Sequence, residues 1–230
     1  NQQGNQQDDK TVVREYFNAT GFDRWRRIYG DGEVNKVQLD IRVGHQQTVD
    51  TVLGWLKADG NLAELTICDA GCGVGSLSIP LAEQGAQVFA SDISEKMVGE
   101  AKERATAQGL SNNPTFAVQD LEQLSGSYHT VSCLDVMIHY PQEQVMEMIR
   151  HLSSLAESRL ILSFAPKTPC YSLLKKIGDF FPGPSKATRA YLHREADIVK
   201  ALEANGWQVQ RNAMTKTRFY FSRLLEATRA

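Results

Sequence analysis

The chain has little that would mark a secreted, membrane-spanning or nucleic-acid-binding protein. Its 230 residues contain four cysteines, Cys68, Cys72, Cys133 and Cys170, with no C-x-x-C pair. Two of them flank a glycine-rich loop, so reduced thiols in a cytosol-like compartment are expected rather than disulfides or a zinc site. No apolar run approaches the roughly 20 residues that span a bilayer, and no secretory leader is expected ahead of the fold. Lys and Arg number 25 against 27 Asp and Glu, a net charge of −2. That balance argues against nucleic-acid binding by bulk electrostatics, although it leaves a local basic patch open. No module that interleaves aromatic and basic residues for nucleic acid is visible either. Apolar residues make up 42% of the chain, too many for a disordered protein, and the length suffices for one large domain with a sizeable core.

What the chain does have is Thr66 to Gly75, T-I-C-D-A-G-C-G-V-G. An apolar run enters a three-glycine turn through Asp69, and Ser76 to Gln84 leaves it with a helical pattern. A strand, a tight loop and a helix start bring backbone N–H groups up to a bound ligand. Glycine serves there because it has no side chain to block the approach and reaches φ > 0 at little cost. A dinucleotide fingerprint needs its third glycine at the sixth position of the motif, which is Ser76 here, so a pyrophosphate fits poorly. With Asp69 two places before Gly71, the stretch D-x-G-x-G-x-G instead resembles motif I of the class I S-adenosylmethionine-dependent methyltransferases.

Residues 1–10 are rich in Asn and Gln and lack apolar side chains, so they are expected to be disordered. Val12, Val13, Tyr16 and Phe17 then suggest one side of a short helix ended by Gly21. Phe22 to Tyr29 mixes three arginines with three aromatics. It reads either as an amphipathic helix packing on the core, or as an arm that stacks on a flat ligand and pairs its anionic groups. Leu39 to Lys57 patterns as a helix. Strands are expected at Leu65–Ala70, Gln87–Asp92, Thr115–Val118, Val131–Met137 and Arg159–Ala165, with helices at Leu77–Gln84, Glu95–Gln108 and Gln144–Ser153. Such alternation signals a parallel sheet covered on both faces. Two further runs from Trp207 have hairpin spacing. The expected division is an arm over 11–60, a binding core over 61–166, a lid insertion over 167–193, and a helix and hairpin over 194–230 that complete the core. The insertion is apolar, basic and aromatic at once, which suits a lid on a large hydrophobic ligand, a membrane surface, or a helical hairpin folded onto the core.

Further along, Y-F-N-A-T-G-F-D-R-W-R-R-I-Y-G-D-G, D-I-R-V-G-H, D-A-G-C-G-V-G-S-L-S-I-P-L and S-F-A-P-K-T together resemble the magnesium-protoporphyrin IX methyltransferase family over nearly the whole chain after residue 10. The resemblance implies an α/β, Rossmann-like class I methyltransferase fold, with a mostly parallel seven-stranded sheet whose last strand is antiparallel. It implies transfer of a methyl group from S-adenosylmethionine to a propionate of magnesium-protoporphyrin IX, a step of chlorophyll biosynthesis that leaves S-adenosylhomocysteine. It also implies contact with the large subunit of magnesium chelatase, peripheral association with photosynthetic membranes, and a cyanobacterial or processed chloroplast form. Residue by residue, it places Arg42, Gly44 and His45 near the cofactor carboxylate. Asp69, Gly71, Gly73 and Gly75 form the loop, Asp92 and Ile93 meet the ribose, Asp120 and Leu121 the adenine, and Cys133 the methionine end. Asp92 also has a reading of its own, since a carboxylate about 20 residues past the first glycine can accept from both ribose hydroxyls.

The fourth strand runs L-D-V-M-I-H-Y. The N/D-P-P-Y/F of enzymes that methylate base amines or protein amides is missing, which excludes those targets. A propionate has a pKa of roughly 4–5, judged from glutamate, so it is ionised at neutral pH and needs no general base. Holding it in line with the methyl group can supply about 7–11 kcal/mol. Tyr29 and His139 are the residues expected closest to that carboxylate, each donating a hydrogen bond to it. His139 could instead ligate the porphyrin magnesium, although magnesium prefers oxygen. The metal travels with the substrate, so no protein metal site is expected. A different small-molecule O- or C-methyltransferase, such as one acting on a quinone precursor, and a non-catalytic S-adenosylmethionine binder stay open as alternatives.

Overall fold

The computed structural model describes residues 2–167 and 190–230. Among them, seven strands form one sheet in the order β3-β2-β1-β4-β5-β7-β6. These are β1 (Thr66–Ala70), β2 (Gln87–Asp92), β3 (Thr115–Val118), β4 (Tyr128–Cys133), β5 (Ala156–Phe164), β6 (Trp207–Lys216) and β7 (Phe221–Arg229). Strands β1 to β5 pair in parallel, and β7 enters antiparallel between β5 and β6. The order reverses between β1 and β4, and at such a switch point the diverging strand ends open a crevice for ligands.

Helix α3 (Lys36–Ala58) starts at Asn35, whose side chain accepts the Gln38 N–H at 2.8 Å. Together with α4 (Ser78–Glu83), it packs Val49, Val52, Leu56, Leu77 and Leu81 into one apolar cluster with Ile67 and Ile161 of the sheet. Helices α6 (Gln142–Leu155) and α7 (Glu195–Ala204) build another with Val145, Ile149, Leu152, Ile198 and Leu202. Each fully buried aliphatic side chain contributes about 1.5–3 kcal/mol, so the strand ends rest on a rigid platform. Helix α5 (Glu95–Ala107) begins where the sequence suggested, with Ser94 Oγ accepting the Met97 N–H.

Three expectations need correction. The expected disordered tail over residues 1–10 is not what residues 2–10 form, because α1 runs Gln2–Asn18. Lys10 at its middle pairs with Asp120 and Glu122, and Asp9 accepts from Gln144; these tertiary contacts hold a segment whose composition alone could not. Gly21 does not end that helix either. The break falls at Ala19, and Gly21 lies inside α2 (Thr20–Ile28). Absence of a side chain matters at Gly21, since a Cβ there would sit 2.5 Å from the Tyr16 ring. Strand β4 stops at Cys133, not Met137, because Asp135 takes a φ of 56° and Met137–His139 wind into a 3-10 turn.

The aromatic–arginine stretch packs on the core as a helix, and part of it also lines the crevice. Trp25 and Ile28 are buried against Tyr16, Ile41, Val74 and Met97, while Trp25 and Tyr29 also face the crevice. The insertion lies mostly outside the described residues. Its roots are tied together by a parallel bridge between Pro166 and His193. The Tyr191 N–H donates to Ile138 O at 2.8 Å, and His193 Nε2 lies 2.9 Å from Met137 O.

Candidate active site

At the switch point the ends of β1, β2 and β4 open into a cavity of about 1410 Å³, counting its mouth. The floor is the glycine loop, where Gly71 and Cys72 N–H groups both donate to Ser91 O at 2.8 Å. Gly71 has φ 78°, and a Cβ on it would meet Val136 at 2.2 Å; no other residue fits that turn. Asp92, at the end of β2, accepts the Gly73 N–H on Oδ2 and the Ser94 N–H on Oδ1, both at 2.9 Å. Burial pushes its carboxyl up, and these backbone donors pull it back only in part. Each oxygen keeps a further lone pair. Ile93, Asp120 and Leu121 continue the same wall.

These residues fit an S-adenosyl ligand. The loop has no side chain at Gly71 or Gly73, the Asp92 carboxylate can take a vicinal diol, and Asp120 lines the same cavity. Asp120 is not idle, however. Its Oδ2 lies 3.2 Å from Lys10 Nζ, so α1 reaches across to this wall of the cavity.

Tyr29 and His139 face this cavity, together with Phe17, Phe219 and Phe221. The Tyr29 ring lies on His45, with centroids 4.3 Å apart at 35°. Burial, and then the Asp135 charge, push the Tyr29 hydroxyl well above its ordinary pKa, so it stays a donor. Burial takes His139 down to about 4, so its imidazole is neutral at physiological pH. Its ring meets Phe17 edge-on at 5.1 Å.

Other expected site residues stand elsewhere. Arg42 spends its guanidinium on α2, donating to Ile28 O at 2.8 Å and Arg27 O at 2.7 Å. With Arg104, which donates to Arg26 O and Tyr29 O, it satisfies carbonyls that a helix end leaves unpaired. Gly44 does not line the cavity. It makes room for Tyr220, whose ring a Cβ would approach to 2.4 Å. Asp69 is buried behind the loop, where it accepts from Ser78 on α4 and Ser132 on β4; burial raises its carboxyl to about 6. Gly75 packs against Ile79 and Ala101. The Cys133 side chain is fully buried, its thiol pushed up by burial, because strand alternation turns it into the core; the expectation for Cys133 concerned its backbone carbonyl. Leu134 and Asp135, the next two residues, line the cavity.

Asp135, Tyr220 and the aromatic turn around it were missing from the expected set. Oδ2 of Asp135 lies 2.8 Å from His45 Nδ1 and accepts the Tyr220 hydroxyl at 2.7 Å. Burial alone would raise this carboxyl, but hydrogen bonds from His45, Tyr220 and Ser163 outweigh it and hold the pKa below the usual carboxylate value. The β6–β7 turn is fixed over the cavity by Asp40 of α3, which accepts from Thr217 Oγ1 and the Phe219 N–H at 2.6 Å. A signal for that turn was present in R-F-Y-F, aromatics where a plain hairpin turn carries Gly, Asn or Asp.

Among known proteins, a family model described as magnesium-protoporphyrin IX methyltransferase C-terminus matches residues 133–229, and one for a methyltransferase domain matches 67–158. A magnesium-protoporphyrin O-methyltransferase from Synechocystis is 68% identical over 224 residues, covering 97% of each chain. The chain belongs to the magnesium-protoporphyrin IX methyltransferase family. The chloroplastic member from Arabidopsis thaliana is 62% identical, over 95% of this chain and 71% of that one. The Synechocystis enzyme's crystal structure with bound S-adenosylhomocysteine superposes with a TM-score of 0.87 at 65% identity, covering 96% of this chain and 100% of that one. In this member, the aromatic arm and the aromatic hairpin turn line one cavity with the glycine loop.

Proposed function

We infer that this protein transfers a methyl group from S-adenosylmethionine to a propionate carboxylate of magnesium-protoporphyrin IX, forming its monomethyl ester. One observation carries the inference. The glycine loop and Asp92 share a single cavity with an aromatic wall and two polar side chains, Tyr29 and His139, that stay uncharged at neutral pH. When bound, S-adenosylmethionine supplies an electrophilic methyl group on a sulfonium. The substrate carboxylate arrives ionised, so the chain has no proton to remove; its task is to orient and to exclude water. Tyr29 donates its hydroxyl hydrogen bond to one carboxylate oxygen, and His139 donates from a ring N–H. The lone pair in line with the methyl group is left free. Phe17, Trp25, Phe219 and Phe221 present flat apolar faces to the macrocycle. Asp92 takes the ribose hydroxyls, and Asp120 the amino edge of the adenine.

As the substrate's source we propose the large subunit of magnesium chelatase, and as its setting peripheral contact with a photosynthetic membrane. The apolar and basic composition of the insertion over 167–193 motivates the membrane contact, and the likeness to the magnesium-protoporphyrin methyltransferases motivates the chelatase; residues 168–189 lie outside the described residues. Among the described residues no helix is long and apolar enough to cross a membrane.

The deciding experiment is methyl transfer from labelled S-adenosylmethionine to magnesium-protoporphyrin IX and to phenolic acceptors. Rates on the porphyrin should dominate, and a preference for phenols would overturn the assignment. Tyr29→Phe and His139→Ala should each lower turnover by about tenfold or more, about 1.4 kcal/mol in the barrier, with porphyrin affinity little changed. Near-normal turnover strikes that residue from the site.

A further inference from the structure

Methyl transfer to a carboxylate needs no base, yet the cavity wall contains a half-buried, ionised carboxylate just past β4. Asp135 is the non-glycine residue with a positive φ, 56°, among those described. That turn folds its side chain back across the strand ends. There Oδ1 accepts from Ser163 Oγ on β5 at 3.2 Å and from Ser222 Oγ on β7 at 3.4 Å. Oδ2 takes His45 Nδ1 from α3 and the Tyr220 hydroxyl from the β6–β7 turn. Its own N–H donates to Ser163 Oγ at 2.7 Å. Donors from separate elements thus occupy both oxygens, which suits Asp135 neither to take a substrate proton nor to ligate a cofactor group. Orientation is the role that remains.

The orientation has a definite target. An ionised carboxylate can only accept, so His45 carries a proton on Nδ1, and the bond fixes the plane of its ring. Tyr29 lies on that plane, and Tyr220, bonded to the same Asp135 oxygen, meets the ring edge-on at 6.4 Å and 85°. Tyr29 follows directly on the end of α2, with a main chain held by Arg104 and a side chain that rests on His45. We propose that Asp135 is a positioning residue for methyl transfer, acting through the His45 ring to set the Tyr29 hydroxyl against the reacting carboxylate. The proposal rests on the role given to Tyr29 above.

Asp135→Asn tests it, because Asn tolerates the left-handed backbone and keeps the side chain's size while placing an NH₂ where one acceptor oxygen stood. Turnover at saturating cofactor and porphyrin should fall about tenfold or more. The double variant with Tyr29→Phe should be no more than about twofold slower than Tyr29→Phe alone, since both changes remove one interaction. In the free enzyme, nitrogen spectra of labelled histidine should show the His45 ring signals displaced. Near-normal turnover of Asp135→Asn, unchanged His45 signals, or a double variant whose loss is the product of the single losses would each overturn the proposal. Normal turnover of Tyr29→Phe by itself would fell the Tyr29 reading and this proposal with it; a slow Tyr29→Phe with multiplying losses fells this proposal alone. Should Asp135→Asn not fold, His45→Gln keeps a donor for Asp135 but removes the ring beneath Tyr29. The same non-multiplying loss is then expected, and multiplying losses overturn the proposal.

Discussion

Asp92→Ala tests the cofactor half of the proposed site. In the folded chain each carboxylate oxygen already accepts one backbone N–H, from Gly73 on one side and Ser94 on the other. Removing the carboxylate has two separable effects. It takes away the acceptor for the ribose hydroxyls, and hydrogen bonds to a charged group are worth about 1.5–3 kcal/mol, roughly tenfold to 150-fold in Kd. It also leaves the Gly73 and Ser94 N–H groups without their carboxylate. The loop that cradles the ligand then loosens, so the affinity loss should fall toward the upper end. Stability should drop by about 1–3 kcal/mol for a stranded buried donor. Calorimetric titration with S-adenosylhomocysteine measures the first effect and urea unfolding the second. Asp92→Asn, which keeps one acceptor, should fall between the wild type and Asp92→Ala in both. Unchanged affinity in a folded Asp92→Ala would remove Asp92 from the site and refute the reasoning.

Two further outcomes are expected. Burial raises the Asp69 carboxyl to about 6 from an ordinary 3.8, so between those values the folded state holds its proton more tightly than the unfolded state. Its contribution is therefore fully present below the lower value and is lost as pH rises through the upper one, at up to about 1.4 kcal/mol per pH unit. Denaturation of the wild type relative to Asp69→Asn should show this decline over that window, and a pH-independent difference would count against it. Lys10→Ala removes the α1 contact to Asp120 and Glu122. Pairs of this kind are worth about 0.2–1 kcal/mol, so S-adenosylhomocysteine should leave up to about fivefold faster in stopped flow; an unchanged rate would mean that α1 does not latch the cofactor wall.

The sequence by itself determined the alternating sheet, the hairpin that closes it, the glycine loop and the carboxylate at the end of the second strand. These depend on local periodicity and on short spacings, such as the 19-position step from Gly73 to Asp92. It also named Tyr29 and His139, through a resemblance carried by contiguous motifs. Tertiary structure alone decided which polar groups meet. Arg42 and Gly44 stand beside His45 in the chain, yet one caps α2 and the other yields space to Tyr220. Successive positions of a helix point in different directions, and nothing local says what each will find there. Cys133 and Asp135 differ in the same way, since strand alternation buries the first and the left-handed turn presents the second. His45, 90 residues from Asp135, and Tyr220, 85 residues from it, come from opposite ends of the chain. Only the packing of α3 and the β6–β7 turn against the end of β4 brings them to one carboxylate.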